Sequence, residues 1–239
     1  MQSLFQLFRF SFTAVAFVGL QNASALTFRE REFTCPIDGE KFRTSLAASG
    51  TSYGRFLDLK PFGPTAAPWP LAKCPSTGFV LYKETFSEGE IARLREYVGS
   101  DEYKGLKSDH SSYYLAAKLR THLGEKPNQL AYMLLQATWE AKSGEQYRQY
   151  AAAALEAYKL ALAEPYADQQ RWISDQLVAG ELERRLEQFD SSKSRFVSLA
   201  ERDELKTGVL RDIVELQLQL IEAKDSSSKM IPQRSAEKK

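Results

Sequence analysis

The sequence is poor in the residues that carry metal and redox chemistry, with two cysteines and two histidines in 239 residues. It has no Walker A loop, no dinucleotide glycine motif and no His-Glu-x-x-His. A Gly-x-Ser-x-Gly elbow is missing as well. His110 and His122 fall at opposite ends of one expected helix, too far apart to share a metal. "DHSS" at Asp109–Ser112 sets triad residue types side by side, but triads converge from separate segments, so this run reads as a helix cap. Neither sign of charge dominates: 32 basic residues face 31 acidic ones, leaving no electrostatic footprint for nucleic acid. The longest apolar run, Phe10–Leu20, is far shorter than the roughly 20 residues that span a bilayer. These absences point to a protein that is not an enzyme, holds no cofactor, binds no nucleic acid and has no membrane span once its N-terminal segment is cleaved, an uncleaved anchor there being the alternative.

The N-terminal 25 residues have another purpose. "MQSLFQLFRFSFTAVAFVGLQNASA" combines one charge, Arg9, an apolar stretch and the small-residue end Ala23-Ser24-Ala25. That is the pattern of a secretory signal peptide cleaved after Ala25, so residues 1–25 are expected to be removed and the mature chain to be periplasmic or secreted. Without Arg9 the mature chain has 31 residues of each sign. At the far end, residues 224–239 are polar, carry no helical stripe, and are expected to be a disordered tail.

Export gives the two remaining cysteines their meaning. "CPIDG" at Cys35–Gly39 and "CPSTG" at Cys74–Gly78 each keep the Cys, Pro and Gly of a zinc knuckle but hold Asp38 or Thr77 where a second thiolate belongs. Equivalent positions in two facing knuckles bring Cys35 and Cys74 within disulfide range, and an oxidising compartment favours the bond. A thiol–disulfide redox pair and a residual metal site are the alternatives. The residual site lacks a fourth ligand, because threonine is a poor one. Around the knuckles, strands are expected at Phe28–Thr34, about Tyr53–Leu59 and Gly78–Lys83, making residues 26–84 a small β-rich, rubredoxin- or zinc-ribbon-like module that needs a staple. Trp69, in "APWP", reads as packing over a proline-rich loop, with ligand contact as the alternative.

From Thr85 the pattern becomes helical through residue 223. "FSEGEI" spells a capping box, Ser87 with Glu90, inside a Phe86–Ile91 staple, opening a helix that runs to about Val98. Further helices are expected at Ser111–Leu123, Pro127–Ser143, Glu145–Ala163, Asp168–Gln188, Ser191–Leu205 and Gly208–Ala223. Connections of two to five residues make consecutive helices antiparallel neighbours. "QLVAGELERRLEQFDSSKSRFVSLA" fits a tetratricopeptide-type unit, with Gly180 at the helix crossing, Leu186 ending the first helix, Phe189 at the turn, and Ser192 and Phe196 in the second helix. Glu183 stands where that repeat usually has Tyr, and Glu187 where it often has Gly. A generic helical bundle is the alternative.

Together "CPIDGEKF", "KCPSTGF", "AYMLLQATWEAKSGE" and "AGELERRLEQFD" resemble a bacterial family of unknown function, domain-of-unknown-function family 2225. Its members carry two Cys-Pro-x-Cys-Gly knuckles followed by tetratricopeptide-like helices. The resemblance runs from Phe33 to about Leu199 and implies no catalytic activity. This chain departs from it by two missing ligands and an added signal peptide. The expectation is therefore an α+β, mainly α protein: a knuckle module, then antiparallel helix pairs. Its function would be to bind an unidentified protein or peptide partner, for example in a groove between repeat helices.

Overall fold

The computed structural model describes residues 26–233; the expected signal peptide and residues 234–239 lie outside the described residues. Within them the chain is mainly helical, with three small antiparallel sheets of two strands each.

β1 (Thr27–Thr34) pairs with β2 (Lys41–Ser49) in a hairpin that sets Phe33 opposite Phe42, with the two rings stacked at 5.7 Å. β2 was not expected: "KFRTSLAAS" is rich in Ser and Ala and has little strand propensity. It is a strand because the first knuckle folds the chain back onto β1. The strand expected over Tyr53–Leu59 reduces to β3 (Gly54–Arg55), paired with β4 (Pro61–Phe62). The one expected over Gly78–Lys83 reduces to β6 (Val80–Leu81), paired with β5 (Ala72–Lys73).

α1 (Glu88–Gly99) starts at the capping box: Ser87 Oγ accepts the Glu90 N–H, and the Glu90 carboxylate accepts the Ser87 N–H at 2.8 Å. Ser100 then ends α1 and also caps α2 (Asp101–Asp109), a helix the sequence reading passed over because Gly99 and Gly105 punctuate a polar stretch. Its anchor is Tyr103, fully buried, whose hydroxyl donates to the Gly78 carbonyl of the second knuckle at 2.9 Å. There follow α3 (Ser112–His122), α4 (Pro127–Trp139), α5 (Gly144–Leu162), α6 (Gln169–Arg185), α7 (Phe189–Ala200), a 3-10 turn at Asp203–Leu205, and α8 (Gly208–Glu222). The helix expected over Ser191–Leu205 thus begins earlier and breaks after Ala200.

The cores overlap along the chain. One joins Cys35, Phe42, Cys74 and Phe79 to Leu94 of α1, Tyr103 of α2 and Leu119 of α3. The next joins α4, α5 and α6, and a third joins α6, α7 and α8. The expected boundary after residue 84 therefore falls inside a single core. A sheet of two or three short strands has too little apolar surface to close on itself, so it uses α1–α3 as its other wall.

The expected disordered tail is corrected over its described part; residues 234–239 of it lie outside the described residues. After α8 the chain turns back as a strap, residues 225–233. The Leu57 N–H donates to the Lys229 carbonyl, and the Ile231 N–H donates to the Arg55 carbonyl, both at 2.8 Å. Phe56 bridges Met230. The segment lacks a helical stripe because it is held by backbone hydrogen bonds, which leave no pattern in the sequence.

Cys35 and Cys74 form a disulfide with Cα atoms 5.7 Å apart. Replacing both with Ser is expected to lower stability by about 2–5 kcal/mol. Because the bridge sits in the core shared with α1–α3, amide exchange should accelerate there as well as in residues 27–83. Unchanged protection in α1–α3 would show that the knuckle region is a separate domain after all.

Candidate functional site

The two knuckles are local copies of each other. In each, the Cys N–H donates to the carbonyl five residues on, Glu40 or Phe79, at 2.8 Å, and the Gly N–H returns to the Cys carbonyl at 2.9 Å. Both glycines sit at positive φ, Gly39 at 78° and Gly78 at 74°, where a side chain would be strained. The positions that lack a thiolate make hydrogen bonds instead. Asp38 Oδ2 accepts from Ser76 Oγ at 2.5 Å, and Thr77 Oγ1 accepts the Phe79 N–H at 3.2 Å. Thr77 also donates toward Cys35 Sγ at 3.6 Å. Both cysteines are 1% exposed, so no attacking thiolate reaches either sulfur without local opening. Among the described residues no three of His, Cys, Asp and Glu gather around a common point for a metal. His110 Nδ1 lies 3.1 Å from the Tyr150 hydroxyl, and His122 stacks on Tyr97. Trp69 is about half exposed, and its carbonyl accepts from the Tyr113 hydroxyl at 2.9 Å.

The repeat-packing residues meet where α6 crosses α7. A Cβ on Gly180 would lie 2.5 Å from the Phe196 ring, and Ser192 Oγ donates to the Gly180 carbonyl at 2.8 Å. Phe196 is fully buried, Phe189 opens α7 and packs against the same cluster, and Leu186 caps α6. Glu183 is buried and paired with Arg195, at 2.9 and 2.7 Å. Glu187, where the expected repeat often has Gly, has φ 62°, in the left-handed region that glycine favours. Gly180→Leu is expected to cost about 1–3 kcal/mol or more, because the branched side chain pushes the Phe196 ring aside. Chemical denaturation of the variant measures it, and an unchanged midpoint would refute this crossing.

Two concavities lie along α4, α5 and α6. One, near the start of α4, is lined by Asn128, Tyr132, Tyr158, Arg171 and Asp175. The other, near the end of α4, is a cavity of about 690 Å³ walled by Trp139, Tyr147, Arg148, Arg185 and Glu187, with Ser226 and Ser228 of the strap. A turn from the N-terminal region, Asp58-Leu59-Lys60, lines both, so the two form a groove that the turn interrupts. Leu59 packs into the α4–α6 core and also lines the Asn128 side, while Asp58 and Lys60 line the Trp139 side. Lys60 Nζ donates to the Trp139 carbonyl at 3.2 Å. Asp58 is 4% exposed and accepts the Lys60 N–H at 3.1 Å. The Arg185 guanidinium lies over the Tyr147 ring, 4.5 Å from its centroid. Burial pushes the Tyr147 hydroxyl up, so it stays protonated and a donor. This wall of donors and cations, with one buried carboxylate, is chemistry for holding a polar ligand by hydrogen bonds and charge. The sequence gives little sign of it because the signal is a turn, Leu-Asp-Leu-Lys-Pro, whose first three residues fall at the end of an expected strand.

The chain matches no protein-family model, no curated protein and no solved structure.

Burial is the main reason that the Asp58 pKa is raised above its ordinary 3.8, while the Lys60 N–H and the Arg185 and Lys60 charges oppose the shift. A raised carboxyl pKa means that the folded state holds the proton more tightly than the unfolded one. The contribution of Asp58 to stability therefore falls as pH rises through and above that ordinary value. Asp58→Asn keeps the acceptor for the Lys60 N–H and removes the charge. Its unfolding free energy, measured by urea titration between pH 4 and 8, should depend less on pH than that of the wild type. An identical pH slope would show that the carboxylate is not held at this cost.

Proposed function

We propose that the protein is an extracytoplasmic, non-catalytic binding module that takes a peptide or protein segment in the groove along α4, α5 and α6. The observation that carries this reading is the Asp58-Leu59-Lys60 turn: a segment distant in sequence already lies in the groove, using an apolar anchor, a main-chain hydrogen bond and a buried charge. Peptides bind helical grooves through the same three kinds of contact. The disulfide is compatible with an oxidising compartment and so supports a periplasmic or secreted location. The twin knuckle turns and the close Gly180–Phe196 crossing support a degenerate zinc-ribbon module followed by tetratricopeptide-like pairs, and with them the family resemblance.

The test places a photo-crosslinking residue at Tyr132, which is half exposed in the groove, and, as a control, at Val209 on α8. Illumination of exporting cells should give discrete adducts from position 132 that position 209 does not give. Identical adducts from both positions, or none from either, would overturn the groove as the binding face.

A further inference from the structure

The turn that occupies the groove holds an unfavourable conformation and fits it incompletely. Leu59 has φ 65°, in the left-handed region that L-residues other than Gly, Asn and Asp rarely adopt. Such a conformation persists only where surrounding contacts over-determine it, and it marks functional segments more often than inert ones. Those contacts are the partly buried Leu59 side chain against the α4–α6 core, the Lys60–Trp139 hydrogen bond and the buried Asp58 carboxylate. The hairpin carrying the turn is slight, with two residues in each strand.

The walls show the incomplete fit. Among the described residues six buried side-chain polar atoms have no hydrogen-bond partner, and four of them belong to residues lining this groove: Asn128 Oδ1, Trp139 Nε1, Tyr147 Oη and Arg185 Nε. Native proteins leave few such atoms, so their concentration around one feature needs a reason. All four atoms are buried, and no contact of the seated turn satisfies them. The turn also leaves space on both flanks, about 320 Å³ on the Asn128 side and about 690 Å³ on the Trp139 side.

We infer that the Asp58-Leu59-Lys60 turn is a resident stand-in for the ligand. The groove recognises a peptide turn that presents an aliphatic side chain between a carboxylate and a cation, and the chain's own copy must withdraw before it binds. The inference rests on the reading of the groove as a peptide site. It makes the free protein self-blocked. A tethered copy competes at an effective concentration of about millimolar or above, so ligand affinity is lowered by the fraction of molecules in which the groove is closed.

The test uses the full mature chain and a cyclised fluorescent peptide of sequence "GRFLDLKPF", copying residues 54–62. Anisotropy titrations compare wild type with Leu59→Gly, which withdraws the anchor and relieves the positive φ. Leu59→Asn serves as a second variant, since Asn tolerates that backbone. Binding to either variant is expected at least tenfold tighter than to wild type, and lost when the second leucine of the peptide becomes serine. Equal affinity for wild type and for folded variants, or binding indifferent to that leucine, would overturn the inference. The two readings separate in the crosslinking cells. Adducts at position 132 that do not increase with Leu59→Gly would leave the groove as a binding face and refute the stand-in. No adduct in either background, with no peptide binding, would remove the groove reading itself.

Discussion

The arrangement depends on one buried guanidinium. Arg184, near the end of α6, is fully buried and is bonded on every side. Its Nε and Nη2 reach the Glu181 carboxylate, Nε also meets Gln217 of α8, and Nη1 and Nη2 donate to the Asp225 and Ser227 carbonyls. Gln217 closes the ring by donating to Glu181 Oε2 at 2.7 Å. Burial pushes Glu181 up while Arg184 pulls it down, so the desolvation of this pair opposes its attraction. A cluster of leucines would hold α6 to α8 equally well. What leucines do not supply is a set of donors aimed at two carbonyls of the returning strap. The ion pair is better explained by the place it fixes for residues 225–233 than by the stability it adds.

That place controls the groove. The strap pairs with residues 55–57, and the hairpin beyond them carries Asp58, Leu59 and Lys60 onto α4, α5 and α6. Leu57, Ile213, Leu220 and Ile231 form the small apolar cluster beneath it. The contacts therefore run in sequence from Arg184 through the strap and hairpin to the groove. The disulfide acts at the other end of this N-terminal region, where it joins two turns of the same backbone hydrogen-bond pattern. Because the cysteines pack with α1, α2 and α3, the bond anchors residues 35–74 to the start of the helix array while the strap anchors residues 53–57 to its end.

Local features were legible in the sequence. Ser87 and Glu90 announced α1, Pro127 announced α4, and Gly180 with Phe196 announced the α6–α7 crossing, because each depends on contacts within about twenty residues. The knuckle words placed Cys35 beside Cys74 across a longer interval, since a repeated turn implies a repeated geometry. The features that were not legible are those whose cause lies elsewhere in the chain. β2 is a strand because β1 is beside it. α2 is held by the knuckle carbonyl that Tyr103 reaches. Residues 225–233 are held by a guanidinium some forty positions earlier and by the backbone of residues 55–57. The groove was missed for the same reason: Asp58, Leu59 and Lys60 carry no motif, and only their destination on α4–α6 gives them meaning.

Helices stacked in sequence order form a nearly one-dimensional array in which each unit is supported by its neighbours, and the first and last units lack one neighbour each. Here the N-terminal region covers the first helices and also sends a hairpin to the strap that follows the last helix. The hydrogen bonds between residues 55–57 and 229–231 join the N-terminal region to the segment after α8 and close the array into a ring of contacts. Closure makes local opening costly in a way that an open stack does not, because withdrawing the hairpin disturbs both the groove and the strap. The two-residue strands and the positive φ at Leu59 are the weakest links of that ring, and they coincide with the segment that covers the groove.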